Sequence, residues 1–288
     1  MKTLMKPVLS ILWLAAAGLF LPAQAAACPG YDISIYQNGH TTYAPEDDLP
    51  GIVSISLVTN PAALPQSCRR LPVEISSRSG DIRNFISGRS RFTGVGSDAA
   101  KPFARVRERL VLTPAGRAEL VANGRLDLEI VELPPGRFPT PGRYANFVDV
   151  WVDGIRQDRT ELVLSVQAGV KLVGQSASGT GTIEFGELER GLRRSTRFFY
   201  QTNANMTITA KSDNGGYLVH EDGRSFGAVP YKVRVMGKRL DVSGNSRIRI
   251  VPTTNGPESG QLIVVLGKTS GLYTGDYRDV LTLSFSAF

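Results

Sequence analysis

The chain has 288 residues, of which 42% are hydrophobic and 20% are charged, and its formal net charge is +7. After residue 21 no stretch reaches the roughly 20 consecutive apolar residues of a membrane-spanning helix, so the composition indicates a globular protein. The densest basic run, Arg190 to Arg197, has no interleaved aromatic residues on which bases could stack, which argues against a nucleic-acid partner.

The first predicted element is a signal peptide. A positively charged start and an apolar stretch from Val8 to Leu21 precede Ala23-Gln24-Ala25, which fits an A-x-A cleavage motif. We therefore predict that residues 1–25 are removed and that the rest of the chain is exported. A lipoprotein is the alternative, because a cut after Ala27 would make Cys28 the first mature residue.

The exported part contains two cysteines, Cys28 and Cys68. An oxidising compartment favours a disulfide between the only two thiols of a chain. Neither cysteine has a histidine near it in the sequence, so we interpret both as structural rather than catalytic or metal-binding.

Short stretches in which apolar and polar residues alternate follow one another along the rest of the sequence. They are "YDISIY", "GIVSISLV", "LPVEIS", "RLVL", "RLDLEIVEL", "FVDVWV", "ELVLSV", "GTIEFG", "NMTITA", "YKVRVMG", "SRIRIV", "GQLIVVL" and the final strand. This pattern, with Gly, Pro and Asn-Gly signals between the stretches, is typical of β-sandwiches. Thr113 to Gly124 is the one stretch that could hold a helical turn or two. We therefore predict an all-β fold.

A weak repeat relates the two halves at an offset of 133 residues. The matching pairs are Pro141–Val152 with Thr274–Phe285, Glu129–Leu133 with Leu262–Leu266, and Val73–Asp81 with Met206–Asn214. Separate landmarks that share one offset indicate a tandem duplication. We predict two domains, residues 26–159 and residues 160–288, each a β-sandwich.

Two loops of the first half are candidates for contact with a target. "LPPGRFPTPGR" (Leu133–Arg143) is stiffened by prolines and carries Phe138 and Pro139. We expect this loop at the end of the first sandwich that is distal to the second domain, since the following strand then leads into the linker. Phe138 would be an exposed anchor there, or else it folds back to cap the sandwich. "NPAALPQ", which contains Leu64, is a second candidate.

The chain ends in "GDYRDVLTLSFSAF", a strand that continues to the last residue. Leu281, Leu283 and Phe285 lie on one face of it, while the intervening residues are polar. Alternation alone favours the paired last strand of a complete sandwich.

Three segments of the second half resemble the spore coat protein U family, which includes the subunits of archaic chaperone–usher pili. They are "GTIEFGEL" (Gly181–Leu188), "TITAKSDNGG" and the terminal Gly-x-Tyr-x-Asp motif with its strand. The resemblance extends over about Leu162 to Phe288. The chain departs from the family pattern in its first strand, Val166 to Leu172, which lacks the usual cysteine.

The resemblance implies an immunoglobulin-like sandwich without its last strand. A periplasmic pilus chaperone would fill the open groove first, and the N-terminal strand of an adjacent pilin subunit would replace it, as β-augmentation. Leu281, Leu283 and Phe285 would line the groove, and the Phe288 carboxylate would anchor the chaperone. An outer-membrane usher would then export the subunit to a pilus on the cell surface.

The same resemblance suggests the position of the subunit in the pilus. Signal cleavage would leave at most three residues before Cys28, so we expect no free donor strand. A subunit that accepts but does not donate belongs at the tip, which predicts an adhesin for an unidentified surface or host receptor. The alternative is a free-standing secreted module of two complete sandwiches that binds glycans or surfaces, in the manner of a spore-coat protein.

Catalytic patterns are weak throughout the chain. His40 and His220 lie beside turn residues and are expected on surface loops. No G-x-S-x-G elbow occurs, and "PEDDLPG" and "SDNGG" lack the ligand spacing of a calcium loop. We therefore expect a protein that is not an enzyme and that needs no cofactor and no metal.

Overall fold

The computed structural model describes Cys28, residues 32–39, 41–47, 49–64, 66–77, 102–106, 109–254 and 256–288. The predicted signal peptide and His40 lie outside these residues. The prediction of an all-β fold of antiparallel sandwiches is confirmed. The strands of the first half are β1 (Ile33–Asn38), β2 (Thr42–Tyr43), β3 (Gly51–Thr59), β4 (Val73–Ser77), β5 (Phe103–Val106), β6 (Arg109–Leu112), β7 (Arg125–Leu133), β8 (Gly142–Val152) and β9 (Ile155–Val166).

The first half packs two sheets face to face. One has the order β1-β3-β7, and the other has the order β2-β9-β8-β4-β6-β5. Alternate residues of β3 point inward, so that Val53, Ile55 and Leu57 are fully buried between the sheets. An α-helix, α1 (Pro114–Asn123), follows β6; Thr113 caps its first turn, and Gly124 ends it in a left-handed conformation.

The predicted disulfide between Cys28 and Cys68 is confirmed. Cys68 is 2% exposed and belongs to the core of the first sandwich, and Cys28 packs against that core. The bond therefore ties the start of the described chain to the turn before β4.

The second half also forms two sheets. Its strands are β10 (Val170–Leu172), β11 (Arg193–Thr202), β12 (Met206–Ser212), β13 (Tyr217–His220), β14 (Ala228–Val235), β15 (Lys238–Leu240), β16 (Ser243–Ile250), β17 (Glu258–Leu266), β18 (Tyr277–Arg278) and β19 (Leu281–Ala287). The larger sheet has the order β10-β11-β17-β14-β13-β18, with β15 beside β14. The smaller sheet has the order β16-β12-β19. The buried core between them shares no residue with the core of the first half.

The repeat in the sequence corresponds to matching strands. The bounds of β7 and β17 differ by the 133-residue offset at both ends. Likewise β4 pairs with β8 in the first half as β12 pairs with β19 in the second. Val73 lies opposite Val152, whereas Met206 lies opposite Ala287, a slip of two residues. An even slip keeps every side chain on its original face, so the two sandwiches retain equivalent cores.

The predicted boundary between residues 159 and 160 falls inside β9. Leu162, Leu164 and Val166 of this strand belong to the first core. The physical reason is a hairpin: Asp153 and Gly154 have φ of 48° and 77°, as the two central residues of a type I′ turn require, so the chain turns back along β8. We propose that the boundary lies at residues 167–169, between β9 and β10.

A candidate strand-acceptor groove

The terminal strand β19 lies at the edge of its sheet. It pairs with β12 along one side, from Met206 opposite Ala287 to Ser212 opposite Leu281. No other strand of the described chain pairs with it. Leu281, Leu283 and Phe285 pack against the second core but are only partly buried. An inward-facing apolar row at an unpaired edge is the geometry that a further strand would complete.

Hydrogen bonding along β19 alternates between its two sides. Asp213 N donates to Val280 O at 3.0 Å, and Phe288 N donates to Asn205 O at 2.9 Å. Because antiparallel pairs alternate between hydrogen-bonded and non-bonded positions, the even-numbered residues direct their backbone groups to β12. The odd-numbered residues, which carry the inward apolar side chains, direct theirs to the open edge.

A second extended segment leaves apolar side chains partly exposed on the same core. Ile183, Phe185 and Leu188 pack against this core and alternate with exposed Glu184 and Gly186. Among the described residues, no backbone hydrogen bond involves residues 181–188. This segment thus has the residue pattern of a strand but no ladder partner.

The first sandwich provides a comparison for the open edge of β19. There β8, the counterpart of β19, pairs with β9 on the edge away from β4. Val148, Val150 and Val152 of β8 are 0%, 0% and 3% exposed, whereas the residues 133 positions later are Leu281, Leu283 and Phe285, which are partly exposed. The described part of the second half has no counterpart of β9.

The Gly-x-Tyr-x-Asp motif fixes the entry into β19. A Cβ on Gly275 would lie 2.1 Å from His220 Nε2, so only glycine fits there. The Tyr277 ring packs edge-on against His220, with 5.1 Å between ring centroids. The Tyr277 hydroxyl donates to Tyr273 O at 2.9 Å. His220 is 5% exposed, so its expected position on a surface loop is wrong; these aromatic contacts bury it.

Asp279, the last residue of the motif, joins β19 to both sheets. Its carboxylate accepts hydrogen bonds from the Ser212 hydroxyl of β12 and the Tyr231 hydroxyl of β14. It also accepts from Asn214 N at 3.0 Å. Burial, reinforced by the bond to this carboxylate, raises the pKa of the Tyr231 hydroxyl above its ordinary value. The hydroxyl therefore remains a proton donor, and the start of β19 is held rigidly while its outer edge stays open.

The last residue, Phe288, is 54% exposed. Its ring lies under the Arg249 guanidinium, 4.9 Å from ring centroid to Cζ. The role of its carboxylate as a chaperone anchor stays a prediction.

The predicted position of the first contact loop is wrong. Phe138 is 6% exposed, and the neighbouring Pro139 carbonyl accepts a hydrogen bond from Asn203 Nδ2 of the second half at 2.8 Å. The cause is the hairpin after β8: the start of β8, Gly142, pairs with Val166 at the end of β9, so this loop lies at the junction of the two halves. Phe138 folds inward, as in the alternative that the sequence left open.

The second contact loop lies at the opposite end of the first sandwich. Leu64 is 4% exposed and belongs to the core, so it is not an exposed anchor either. The loop follows the end of β3, next to the start of β7, where Thr59 N donates to Gly124 O at 2.9 Å. The Asp153-Gly154 turn is at this end too, since Asp153 N donates to Pro72 O at 3.0 Å just before β4. Any contact by this loop must use its exposed residues, such as Ala62 and Ala63.

Metal ligands do not cluster in the part of the chain that the structure describes. No group of three or more His, Cys, Asp or Glu among those residues is arranged to hold a metal ion. No helix within the described ranges is long and apolar enough to cross a membrane.

No protein-family model matches this sequence, and no curated protein matches it. Among solved structures, the chain is similar to one in the CsuC–CsuE chaperone–tip adhesion subunit complex of archaic Csu pili from Acinetobacter baumannii; identity is 12%, the TM-score is 0.44, and 89% of this chain and 100% of that chain are covered. It is also similar to CfaE, the adhesive subunit of CFA/I fimbria of enterotoxigenic Escherichia coli, with an identity of 12%, a TM-score of 0.34, and coverage of 89% of this chain and 81% of that chain. For the CupB6 tip adhesin of Pseudomonas aeruginosa, identity is 11%, the TM-score is 0.29, and 89% of this chain and 94% of that chain are covered. Membership of the spore coat protein U family stays a prediction.

Proposed function

We propose that the chain is a subunit of a chaperone–usher pilus whose second sandwich accepts a β-strand from an adjacent subunit. One observation carries the proposal: Leu281, Leu283 and Phe285 are partly exposed, whereas Val148, Val150 and Val152 of β8, a strand that is paired with β9 along its other edge, are buried. Fully burying a leucine or phenylalanine side chain contributes about 1.5–3 kcal/mol, so a strand laid along β19 has a substantial driving force.

An unpaired hydrophobic edge is also an aggregation hazard. A subunit that carries one needs a protective partner before assembly, which is the role we assign to a periplasmic pilus chaperone. An outer-membrane usher would receive the complex and exchange the chaperone for the neighbouring strand at the cell surface. The alternative of two complete sandwiches requires a paired outer edge on β19, and no described strand supplies one.

We further propose that this subunit occupies the tip of the pilus and that its first sandwich is the adhesin domain. In support, β1 is paired along its length with β3 and follows closely after the disulfide-bonded Cys28, so this strand is not free for donation. The receptor would contact the end of the first sandwich that carries the loop at residues 60–64 and the Asp153-Gly154 turn.

The alternation of hydrogen bonds gives a direct test of strand acceptance. We expect the amides of Leu283, Phe285 and Ala287 to exchange with solvent at least tenfold faster than those of Ser284 and Ser286 in the free protein. Adding a synthetic peptide of residues 155–166, which is β9, should slow the odd-numbered amides to the level of the even-numbered ones, because β9 pairs along the whole of β8. Residue-resolved hydrogen exchange measures both states.

The control peptide carries aspartate in place of Leu162 and Leu164, the inward residues of β9. It should leave the odd-numbered amides fast, because burying unpaired carboxylates is costly. Equal exchange at odd and even positions in the free protein, or no response to the first peptide, would contradict the proposed acceptor edge.

A further inference from the structure

The outer face of the larger second sheet carries a regular array of positive charges. On β11 the buried Phe198 and Tyr200 face the core, so residues of the opposite parity face outward. On β14, Val233 and Val235 are buried, so Lys232 and Arg234 face outward in the same way. The exposed cations on the outward positions of β11, β14 and β15, here called the basic face, are Arg193, Arg197, Lys232, Arg234 and Arg239.

Strand register places these cations close together. Arg193 and Lys232 lie on either side of Val265 of the central strand β17, and Arg234 lies directly opposite Arg239. Strands are spaced about 4.8 Å apart and residues rise about 3.4 Å each, so the array is roughly 13 Å long along β11 and at least 10 Å wide.

No negative charge balances this array within the described residues. The outward strand positions of the sheet contain neither Asp nor Glu, and the side chains of the five cations form no ion pair or hydrogen bond there. The nearest acids along the chain, Glu189 and Asp241, lie in flanking loops and make no ion pair with them. Like charges directly opposite each other on a sheet are destabilising, so the Arg234–Arg239 pair lowers stability without an offsetting contact.

We propose that the basic face binds an extended anionic polysaccharide. Arginine predominates, and its planar guanidinium matches sulfate, phosphate and carboxylate groups in a bidentate manner. None of the large exposed apolar side chains of the described chain lies on the outward strand positions of this sheet, so the face lacks the wedges with which proteins enter bilayers. A flat grid several residues long therefore suits a soluble polymer with repeated charges.

This binding is independent of the proposed strand acceptance. The acceptor groove opens on the inner side of the second sandwich, where Leu283 and Phe285 meet the core, whereas the basic face lies on the outer side of the opposite sheet. The inference concerns a second partner for the same sandwich, and either proposal stands if the other fails.

The test compares two triple variants of the full exported chain with heparin as the probe. Arg193→Gln/Arg197→Gln/Arg234→Gln removes three of the five charges of the basic face. Arg69→Gln/Arg70→Gln/Arg247→Gln removes the same charge from exposed arginines elsewhere. We expect the first variant to raise the Kd at least tenfold and the second to change it less than twofold. The slope of log affinity against log salt concentration should fall by about two to three for the first variant only.

The unfolding midpoint of the first variant should not drop below that of the native chain, because like-charge repulsion is removed. Equal weakening by both variants would show that net charge alone drives binding and would overturn the proposal. So would a native chain that does not bind heparin, or one that binds poly-glutamate more tightly, which would indicate an acidic protein partner instead.

Discussion

Gly275 has a structural role that its place in the Gly-x-Tyr-x-Asp motif did not reveal. Its φ is 150°, and a Cβ added at this position would come within 2.1 Å of the His220 ring, so no side chain can be accommodated. His220 in turn is held by Asp222 N, which donates to Nδ1 at 3.1 Å, and by Thr274 O, 3.1 Å from Nε2. The imidazole is thus a buried spacer beneath the loop that leads into β19.

We expect Gly275→Ala to destabilise the second sandwich by about 1–3 kcal/mol, because the backbone strain adds to a collision with a buried ring. Gly271→Ala is the matched control: its φ is 77°, and nothing lies within 4 Å of the added Cβ. Denaturant unfolding of both variants separates strain from collision. A loss no greater for Gly275→Ala than for Gly271→Ala would show that the ring can move aside.

At the scale of single elements, local sequence patterns predicted well where strands form, but they did not predict which strands pair with one another. "RLDLEIVEL" and "GQLIVVL" became β7 and β17 because alternation is a property of the strand itself. The 133-residue repeat alone placed the domain boundary, and it carries no information about the hairpin at Asp153-Gly154, so the predicted boundary falls inside β9. Phe138 is buried in a loop whose Pro139 carbonyl bonds to Asn203, a residue far away in the sequence that local patterns do not identify.

The sequence predicted the residues of the candidate groove but not the pairing of the strand that carries them. The resemblance in the last strand indicated Leu281, Leu283 and Phe285, and their alternation identified their common face. The open edge could not be predicted, because the sequence of a strand does not show which strands pair with it. In the structure, no described strand pairs with the outer edge of β19, whereas the corresponding edge of β8 is paired with β9.

Replacement of Leu283 by Asp tests directly whether the inward row of β19 forms the strand-acceptor interface. The side chain faces the core from the middle of β19, and a strand added alongside would bury its carboxylate, which is costly unless the group is protonated. We expect Leu283→Asp to abolish co-purification with the pilus chaperone and to cause degradation in the periplasm. Thr282→Asp, on the exposed face of the same strand, should retain the chaperone. Normal chaperone capture by Leu283→Asp would exclude this row from the interface.

At the scale of the whole molecule, the two sandwiches share one pair of strands and differ in what lies beside that pair. The shared pair is β4 with β8 in the first half and β12 with β19 in the second, and among the described strands β8 has a further partner, β9, whereas β19 has none. This difference is the basis of the proposal that the second sandwich accepts a strand. The short segment from residue 167 to residue 169 joins the two sandwiches, and the Asn203 side chain donates to Gln167 O at 2.9 Å and accepts from Gly169 N at 2.8 Å.

This comparison predicts that the second sandwich can be closed with the chain's own sequence. We would append a copy of Asp153–Val166, the turn and closing strand of the first half, directly after Ala287. With Ala287 in the place of Val152, the register of β8 with β9 would set the copied Ile155, Thr160 and Leu162 opposite Ala287, Leu283 and Leu281. The gain in unfolding free energy should be about 2–4 kcal/mol, since apolar burial exceeds the entropy lost by the added strand.

Denaturant unfolding of residues 168–288 with and without the graft measures this gain, and a graft with aspartate at the two copied leucines is the control. The closed form should also lose binding to the peptide of residues 155–166. A grafted chain that still binds this peptide, or that is no more stable than its control, would mean that the missing strand does not lie along β19.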